Sequence, residues 1–400
     1  MMRPPRPPLA IVVCHEASLT GAPRMAGVVA RVLRGQGLRT RLVLRWGGPL
    51  EPELRAAADT ISFEPFRRLR AAARRHRLHR TARIIEEFAA LVVLIRRRPA
   101  LVWANTTLSA CWIRPATRLG VPIVLHVHEL EPLVSTTLGR YRLDGRWPAV
   151  QLVGCSTAVV DNLARLTGVQ PGEVEVLQSL VDQPDVLARA NRRPARTSDG
   201  LVVGGCGVAD PRKGFDLFLA AAQELLARAE DDGLSFRWVG RLEAEACRLV
   251  DSGVLDHRIQ LIGEVPDGVP ELAAMDIVVV PSRVDPFPLV VLEAMTLGRP
   301  IVASAVDGIP EQVGDAGLLF ESGDLAAMTA AIDHLVSDDA ARRELGEKAR
   351  VRAERTFGFD RFEDAVGTIV ERAAPGLAGV RDLTGSEPVL PPMPRRPRFD

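Results

Sequence analysis

The stretch "DPFPLVVLEAM" sets two carboxylates, Asp285 and Glu293, eight positions apart, across a proline turn and the start of an apolar helix. Two acids held on so stiff a turn could share general acid and base work. A second cluster lies upstream in "GGCGVADPRKGF", where a glycine turn runs into Arg212 and Lys213. Glycines let backbone approach a ligand, a following helix offers free N–H groups, and the cations add charge, so this cluster could hold a diphosphate. It is not a Walker A loop, because Lys213 precedes Gly214 and Phe215 stands where a hydroxyl would reach magnesium. Nor is it a dinucleotide fingerprint: Gly205 and Gly207 fit, but Asp210 takes the third glycine's place. An ordinary strand-to-helix turn with surface charges is the competing reading. The turn "HEASLTGAPRMA" has small Gly21 and Ala22 for close approach and Pro23 suited to a first helical turn. A tight loop explains it equally well.

The elements that must position these residues follow a βαβ rhythm. "LAIVVC", "RTRLVLR", "ALVWAN", "PIVLHVH" and "LVGCS" read as buried parallel strands separated by helix-length segments, one of them a helix from Arg24 to Gly37. The rhythm restarts near residue 200 with "GLVVGGC", the helix "DLFLAAAQELLARAE", and the strands "SFRWVG", "IQLIG", "DIVVVPS" and "PIVASA". Two Rossmann-like α/β domains are expected: residues 1–180 and residues 200–365. The polar, Arg- and Pro-rich segment 181–199 is the expected linker. A terminal helix over 355–374 is expected to return to the first domain, and the Pro/Arg-rich tail 375–400 has no periodicity and is expected to be disordered or extended.

The bulk numbers narrow the class. A chain of 400 residues suits two cores rather than one. With 51 basic against 50 acidic residues, no nucleic-acid partner is expected. Five dispersed cysteines without a CxxC pair indicate neither a disulfide scaffold nor a structural zinc site, and a reducing cytoplasm is the simplest home. The N-terminus does not read as a signal peptide, and no run of apolar residues is long enough to span a membrane; "FAALVVLIRRRP" has the length of a buried helix or strand. Basic residues cluster from Arg67 to Arg98. A solvated helix face is one reading; attraction to an anionic membrane face or acceptor is the other.

Taken together, these motifs resemble the retaining nucleotide-sugar glycosyltransferases of GT-B architecture, the family 4-like, group 1 enzymes, over nearly the whole chain. The ordered series "DIVVVPS", "DPFPLVVLE", "AMTLGRPIVASAVDGIPE", "GLLF" carries the resemblance most specifically. It implies two Rossmann-like domains facing across a cleft, with the donor on the second and the acceptor on the first. It makes Glu293 the carboxylate that grips the donor ribose, which suits an acceptor of two hydrogen bonds from a vicinal diol. Asp285 inherits the place near the donor sugar, one methylene shorter than the family's glutamate, with Phe287 and Leu289 on the adjoining turn. Lys213 matches the lysine that neutralises the diphosphate as it leaves. The family's usual arginine five places earlier is Val208 here; Arg212 is the candidate replacement. Gly21 and Gly207 belong to the glycine loops near the donor phosphates. In "LHVHELE", His128 matches the histidine near the donor sugar, with Glu129 beside it and Asn105 at the end of "ALVWAN"; His126 is expected to point into the sheet, and Ser156 and Asn162 are expected to serve structure.

The implied reaction is transfer of a hexosyl group from a nucleotide diphospho-sugar to a hydroxyl acceptor with retention, by front-face attack in which the leaving phosphate takes the proton. The acceptor would be a glycan or lipid-linked molecule in polysaccharide or glycolipid assembly, on a cytoplasmic protein with peripheral contact at the inner membrane face. No metal and no cofactor is expected, consistent with the lack of a DxD motif. The alternatives are a non-catalytic sugar-nucleotide or polysaccharide-binding protein of the same fold, or a GT-B-type epimerase or phosphorylase. Pro288 departs from the glycine common in the family and cannot offer a backbone N–H to a sugar hydroxyl.

Overall fold

Runs of β-branched residues without polar alternation form parallel strands covered on both faces. The structure, a computed structural model, describes residues 6–141, 143, 150–194, 200–229, 233–251, 253 and 255–377. The chain divides into two units: one runs to Gln178 and resumes at Phe362, and the other is Ser179–Arg361.

The first unit holds β1 (Leu9–Cys14), β2 (Arg39–Leu44), β3 (Thr60–Phe63), β4 (Leu101–Asn105), β5 (Ile123–Val127), β6 (Val150–Gly154) and β7 (Glu175–Val176). They pair in parallel in the order β3-β2-β1-β4-β5-β6-β7. The second unit holds β8 (Leu201–Cys206), β9 (Leu234–Val239), β10 (Ile259–Gly263), β11 (Ile277–Val280), β12 (Ile301–Ser304) and β13 (Leu318–Phe320), parallel in the order β10-β9-β8-β11-β12-β13. In each sheet the order reverses at the first strand. Ligands of open α/β sheets bind beyond the carboxyl ends of the strands at such a switch point. The loops after β1 and β4, and those after β8 and β11, therefore hold the positions where function is expected.

The helix expected to begin at Arg24 begins at Gly21, because the backbone is still extended at Thr20 and Pro23 fits the first turn. The segment expected as linker holds a helix over Gln183–Ala190. The Asp182 carboxylate caps it by accepting from the Asp185 N–H at 3.2 Å, and Pro184 sits in its first turn. Residues 195–199 and all of the expected tail beyond Leu377 lie outside the described residues; its first residues form a short 3-10 turn, Pro375–Leu377. From Phe362 the helix Phe359–Ala373 belongs to the first unit, where Arg372 pairs with Glu175 at 3.1 Å.

The basic segment folds into the helices Arg67–Arg75 and His79–Arg97, and most of its arginines are exposed. Arg70 is not: it is 2% exposed and lies between Glu64 and Glu86 at 3.5 and 3.7 Å, with its guanidinium over the Trp46 ring. Glu64 also accepts from Arg45 at 3.0 Å and from the Trp112 indole at 3.3 Å, and Glu86 accepts from Tyr141 and Arg74, both at 2.6 Å. Part of the basic cluster is thus a buried ion network, which periodicity in a run of arginines does not reveal. Among the described residues, no helix is long and apolar enough to cross a membrane.

Candidate functional site

In the second unit, β8 ends at Cys206 and the chain turns through Gly207 at φ +150°. The loop closes on itself: the Lys213 N–H donates to the Asp210 carboxylate at 2.7 Å. Gly214 then takes φ +70°, and a Cβ there would stand 1.9 Å from the Pro281 carbonyl, so only glycine lets this loop lie against the end of β11. The helix Phe215–Arg228 starts at the next residue, and Phe215 and Phe218 anchor it edge-on against Trp238 of β9. Lys213 is therefore fixed at its backbone before its charge is used.

The loop after β11 meets it. Lys213 Nζ lies 2.5 Å from Asp285 Oδ2, which also accepts from the Ser282 hydroxyl at 3.0 Å. The Asp285 N–H donates to the Asp307 carboxylate at 2.7 Å, and burial, with Asp285 close by, pushes the Asp307 carboxyl up. Asp285 is only 4% exposed. Arg283 laces the two loops: it grips Asp216 at 2.7 Å through both terminal nitrogens, donates to the Pro211 carbonyl at 2.6 Å, and its N–H donates to the Arg212 carbonyl at 2.7 Å. Arg212 is exposed and donates to the Val284 carbonyl at 3.2 Å, so it clasps the carboxylate loop. Val208 is half-buried.

The helix Leu289–Thr296 follows directly, with Pro288 at its cap. Its first turn leaves N–H groups without intrahelical partners, Leu289 among them. Phe287 belongs to the core: it is buried and packs edge-on against Phe357 at 5.9 Å, so what it can offer a ligand is backbone. Glu293 is half-buried one turn into the helix. Arg189, 5% exposed on the helix Gln183–Ala190, lies 3.8 Å from the Glu293 carboxylate and donates to Asp267 at 3.0 Å. Sequence reasoning missed Arg189; the Asp-x-Pro capping pattern that starts its helix was the available signal.

In the first unit, a second cluster stands at the carboxyl ends of β1, β4 and β5. Asn105, fully buried and in register with Cys14 and His126, donates from Nδ2 to the Ala22 carbonyl at 2.8 Å. Its Oδ1 faces His128 Nε2 at 3.1 Å. Glu129 Oε2 accepts from the Thr107 N–H at 3.1 Å, the Thr107 hydroxyl at 3.2 Å and the His128 N–H at 3.2 Å. This pin holds the sharp turn at Thr106, whose φ is +82°. Burial raises the Glu129 carboxyl to about 7 and lowers His128 well below the usual imidazole range, with His126 and His15 adding to the latter. His126 does not point away from His128 as expected: residues two apart on a strand share a face, and its fully buried ring lies 4.1 Å from that of His128, with burial lowering it to about 3. Gly21 opens the helix Gly21–Gly35, next to the Ala22 carbonyl that Asn105 holds. Ser156 caps the helix Thr157–Thr167 by accepting from the Val159 N–H at 3.3 Å, and Asn162 is buried on that helix. Among the described residues, no group of three or more His, Cys, Asp or Glu side chains is arranged to hold a metal ion.

Each unit has a cation or imidazole held by a buried partner at a switch point, and the second adds a carboxylate on a helix one turn away. Known protein families match both units. The family model "Glycosyltransferase Family 4" matches residues 19–183, and "Glycosyl transferases group 1" matches residues 200–338. A D-inositol 3-phosphate glycosyltransferase of Acidothermus cellulolyticus is 32% identical over 279 residues, 62% of each chain. One of the same description from Mycobacterium tuberculosis is 30% identical over 309 residues, covering 68% of this chain and 61% of that one. Anabaena HepE in complex with UDP-glucose superposes with a TM-score of 0.70 at 19% identity, over 91% of this chain and all of that one. Sucrose-phosphate synthase from Thermosynechococcus elongatus does so with 0.69 at 21% identity, over 92% and 99%. The chain spans about three fifths of the length of the curated relatives it matches.

Proposed function

The chain belongs to the GT-B glycosyltransferases of the family 4 and group 1 type, and from that premise we propose that it transfers a sugar from a nucleotide diphospho-sugar to a hydroxyl acceptor with retention of configuration. The observation that carries the reading is a preset cation, Lys213, held by Asp285 at the switch point of the second sheet, with the Glu293 carboxylate on the helix that follows the Asp285 loop. Glu293 accepts from the two ribose hydroxyls, and Arg189, 3.8 Å away, aims its carboxylate. Lys213 and the first N–H groups of the helix Leu289–Thr296 meet the diphosphate. As the acceptor oxygen bonds to the anomeric carbon, the bond from that carbon to phosphate breaks. The acceptor's proton passes to the leaving phosphate, whose growing charge Lys213 stabilises.

Asp285 plays a different part from the family's glutamate. Its Oδ2 is already engaged by Lys213 and Ser282, so it holds the lysine rather than reading the sugar. Pro288 also withholds a backbone N–H. Recognition of the donor sugar then falls to other groups, and the sugar cannot be inferred from relatives that keep the glycine.

The acceptor is a polyol or glycan hydroxyl, free or lipid-linked; the names of the curated relatives point to phosphorylated cyclic polyols as a class to include. The helices Arg67–Arg75 and His79–Arg97 support a peripheral contact with an anionic membrane face on the cytoplasmic side. They and the turn between them expose Leu69, Leu78, Ile84, Phe88 and Ile95 beside their arginines. Phe88→Asp with Ile95→Asp should cut co-sedimentation with anionic, not neutral, vesicles; equal binding by wild type to both vesicle types would remove this contact.

The function is tested by incubating the purified chain with each common nucleotide diphospho-sugar and a panel of polyol and glycan acceptors, following nucleoside diphosphate release and the new glycoside by NMR. Acceptor-dependent release with a retained anomer is expected. Binding without release would favour a non-catalytic sugar-nucleotide protein, and release of free phosphorylated or epimerised sugar would favour a phosphorylase or epimerase.

A further inference from the structure

We propose that Asn105 is a positioning residue that fixes His128 as the tautomer protonated on Nε2, so that Nδ1 meets a substrate hydroxyl as a hydrogen-bond acceptor. The substrate contact rests on the function proposed above; the tautomer itself does not. An asparagine amide has one end that only donates and one that only accepts. The Ala22 carbonyl can only accept, so the end of Asn105 that faces it at 2.8 Å is Nδ2. That leaves Oδ1 facing His128 at 3.1 Å, and Oδ1 can only accept. The proton in that contact therefore sits on His128 Nε2.

A neutral imidazole carries one ring proton, and His128 is held neutral by burial, with His126 and His15 adding to the effect. The groups that face it are consistent. His126 on β5 is itself neutral, His15 after β1 is also lowered by burial, and Glu129 receives the backbone N–H of His128 rather than its ring. With Nε2 used, Nδ1 keeps its lone pair, and among the described residues no hydrogen bond reaches it. The group that completes this site must therefore donate: a sugar or polyol hydroxyl fits, while a phosphate or carbonyl oxygen does not. Asn105 also ties this choice to the glycine turn, because Ala22 is the second residue of the helix that Gly21 opens. A shift of that turn would release the amide and, with it, the tautomer.

The direct test is two-bond 15N correlation NMR on the full chain labelled at its seven histidines, with the His128 signals identified by their loss in His128→Gln. At neutral pH the wild type should show a protonated Nε2 and a bare Nδ1. A protonated Nδ1, or an imidazolium, would overturn the proposal whether or not the protein transfers sugar. Asn105→Asp keeps an acceptor for Nε2–H and should keep the tautomer. Asn105→Leu should give a mixture and lower kcat by about tenfold to a hundredfold, the scale seen when a partner that orients a histidine is removed, with donor KM little changed. Asn105→Asp should recover most of that kcat. Equal loss in both variants with the wild-type tautomer retained would make Asn105 merely structural and end the proposal. The Nε2-protonated tautomer in a chain that transfers no sugar would instead uphold the assignment and sink the proposed function.

Discussion

Removing Lys213 should do two kinds of damage, and the structure separates them. Lys213→Ala deletes the cation that faces the departing diphosphate. Loss of one preset electrostatic stabiliser of this kind costs about 3 kcal/mol, or roughly a hundredfold to a thousandfold in kcat. It also uncovers Asp285, which is 4% exposed and paired to Lys213 at 2.5 Å. A bare carboxylate roughly 6 Å from a phosphate charge repels it by about 2.8 kcal/mol at an effective dielectric constant of about 20. The second penalty vanishes if the carboxylate is neutralised. Lys213→Ala with Asp285→Asn should therefore be between about tenfold and a hundredfold faster than Lys213→Ala alone, although Asp285→Asn by itself slows the wild type by loosening the lysine. The assay is single-turnover release of nucleoside diphosphate at saturating donor, which reads the chemical step. A double mutant as slow as the product of the two single losses would refute the idea that Asp285 acts through Lys213.

Three further outcomes follow from the same geometry. Glu293→Ala should raise the donor dissociation constant by about tenfold to a hundredfold, the worth of charge-assisted bonds to a diol, while leaving the single-turnover rate at saturation near wild type; Arg189→Met should act in the same direction more weakly, and calorimetric titration reads both. Glu64→Ala strands Arg45 and Arg70 in a buried network and should lower stability to denaturant by about 3 to 5 kcal/mol, whereas a loss under about 1 kcal/mol would show the network to be solvated. Burial raises the Glu129 carboxyl from 4.5 to about 7, so its neutral form favours the fold below about pH 4.5, and that contribution is lost as pH rises through about 7. Wild type should lose Tm relative to Glu129→Gln across that window, because the histidines that titrate there are common to both proteins; a pH-independent gap would contradict this.

Much of the fold was legible because parallel strands buried on both faces are uninterrupted apolar runs. "LAIVVC" is β1 residue for residue, and "DIVVVPS" contains β11. The short edge strands β3, β7 and β13 were not read as strands, since two to four residues carry no period. The helix Gln183–Ala190 was read as linker because its arginines and prolines looked like loop chemistry, yet Arg189 turns inward to three carboxylates. In the site, residue types pointed to Lys213 and to the acid Glu293, and the family resemblance to His128, but neither pointed to their partners. That Asp285 holds the lysine, that Asn105 holds the imidazole and that Phe287 is spent on the core are facts of packing between segments far apart in sequence. The glycines of "GGC" show the same limit: a Cβ at Gly204 would strike Met275 and one at Gly205 would strike Trp238, so these two make room for core side chains.

The most direct test of the central claim is a co-crystal structure of the wild-type chain with the nucleotide diphospho-sugar that binds it best. The account predicts the ribose hydroxyls on the Glu293 carboxylate and the diphosphate within hydrogen-bond distance of Lys213 Nζ, with Asp285 still on the lysine. A donor bound with its ribose away from Glu293 and its phosphates away from Lys213 would contradict it.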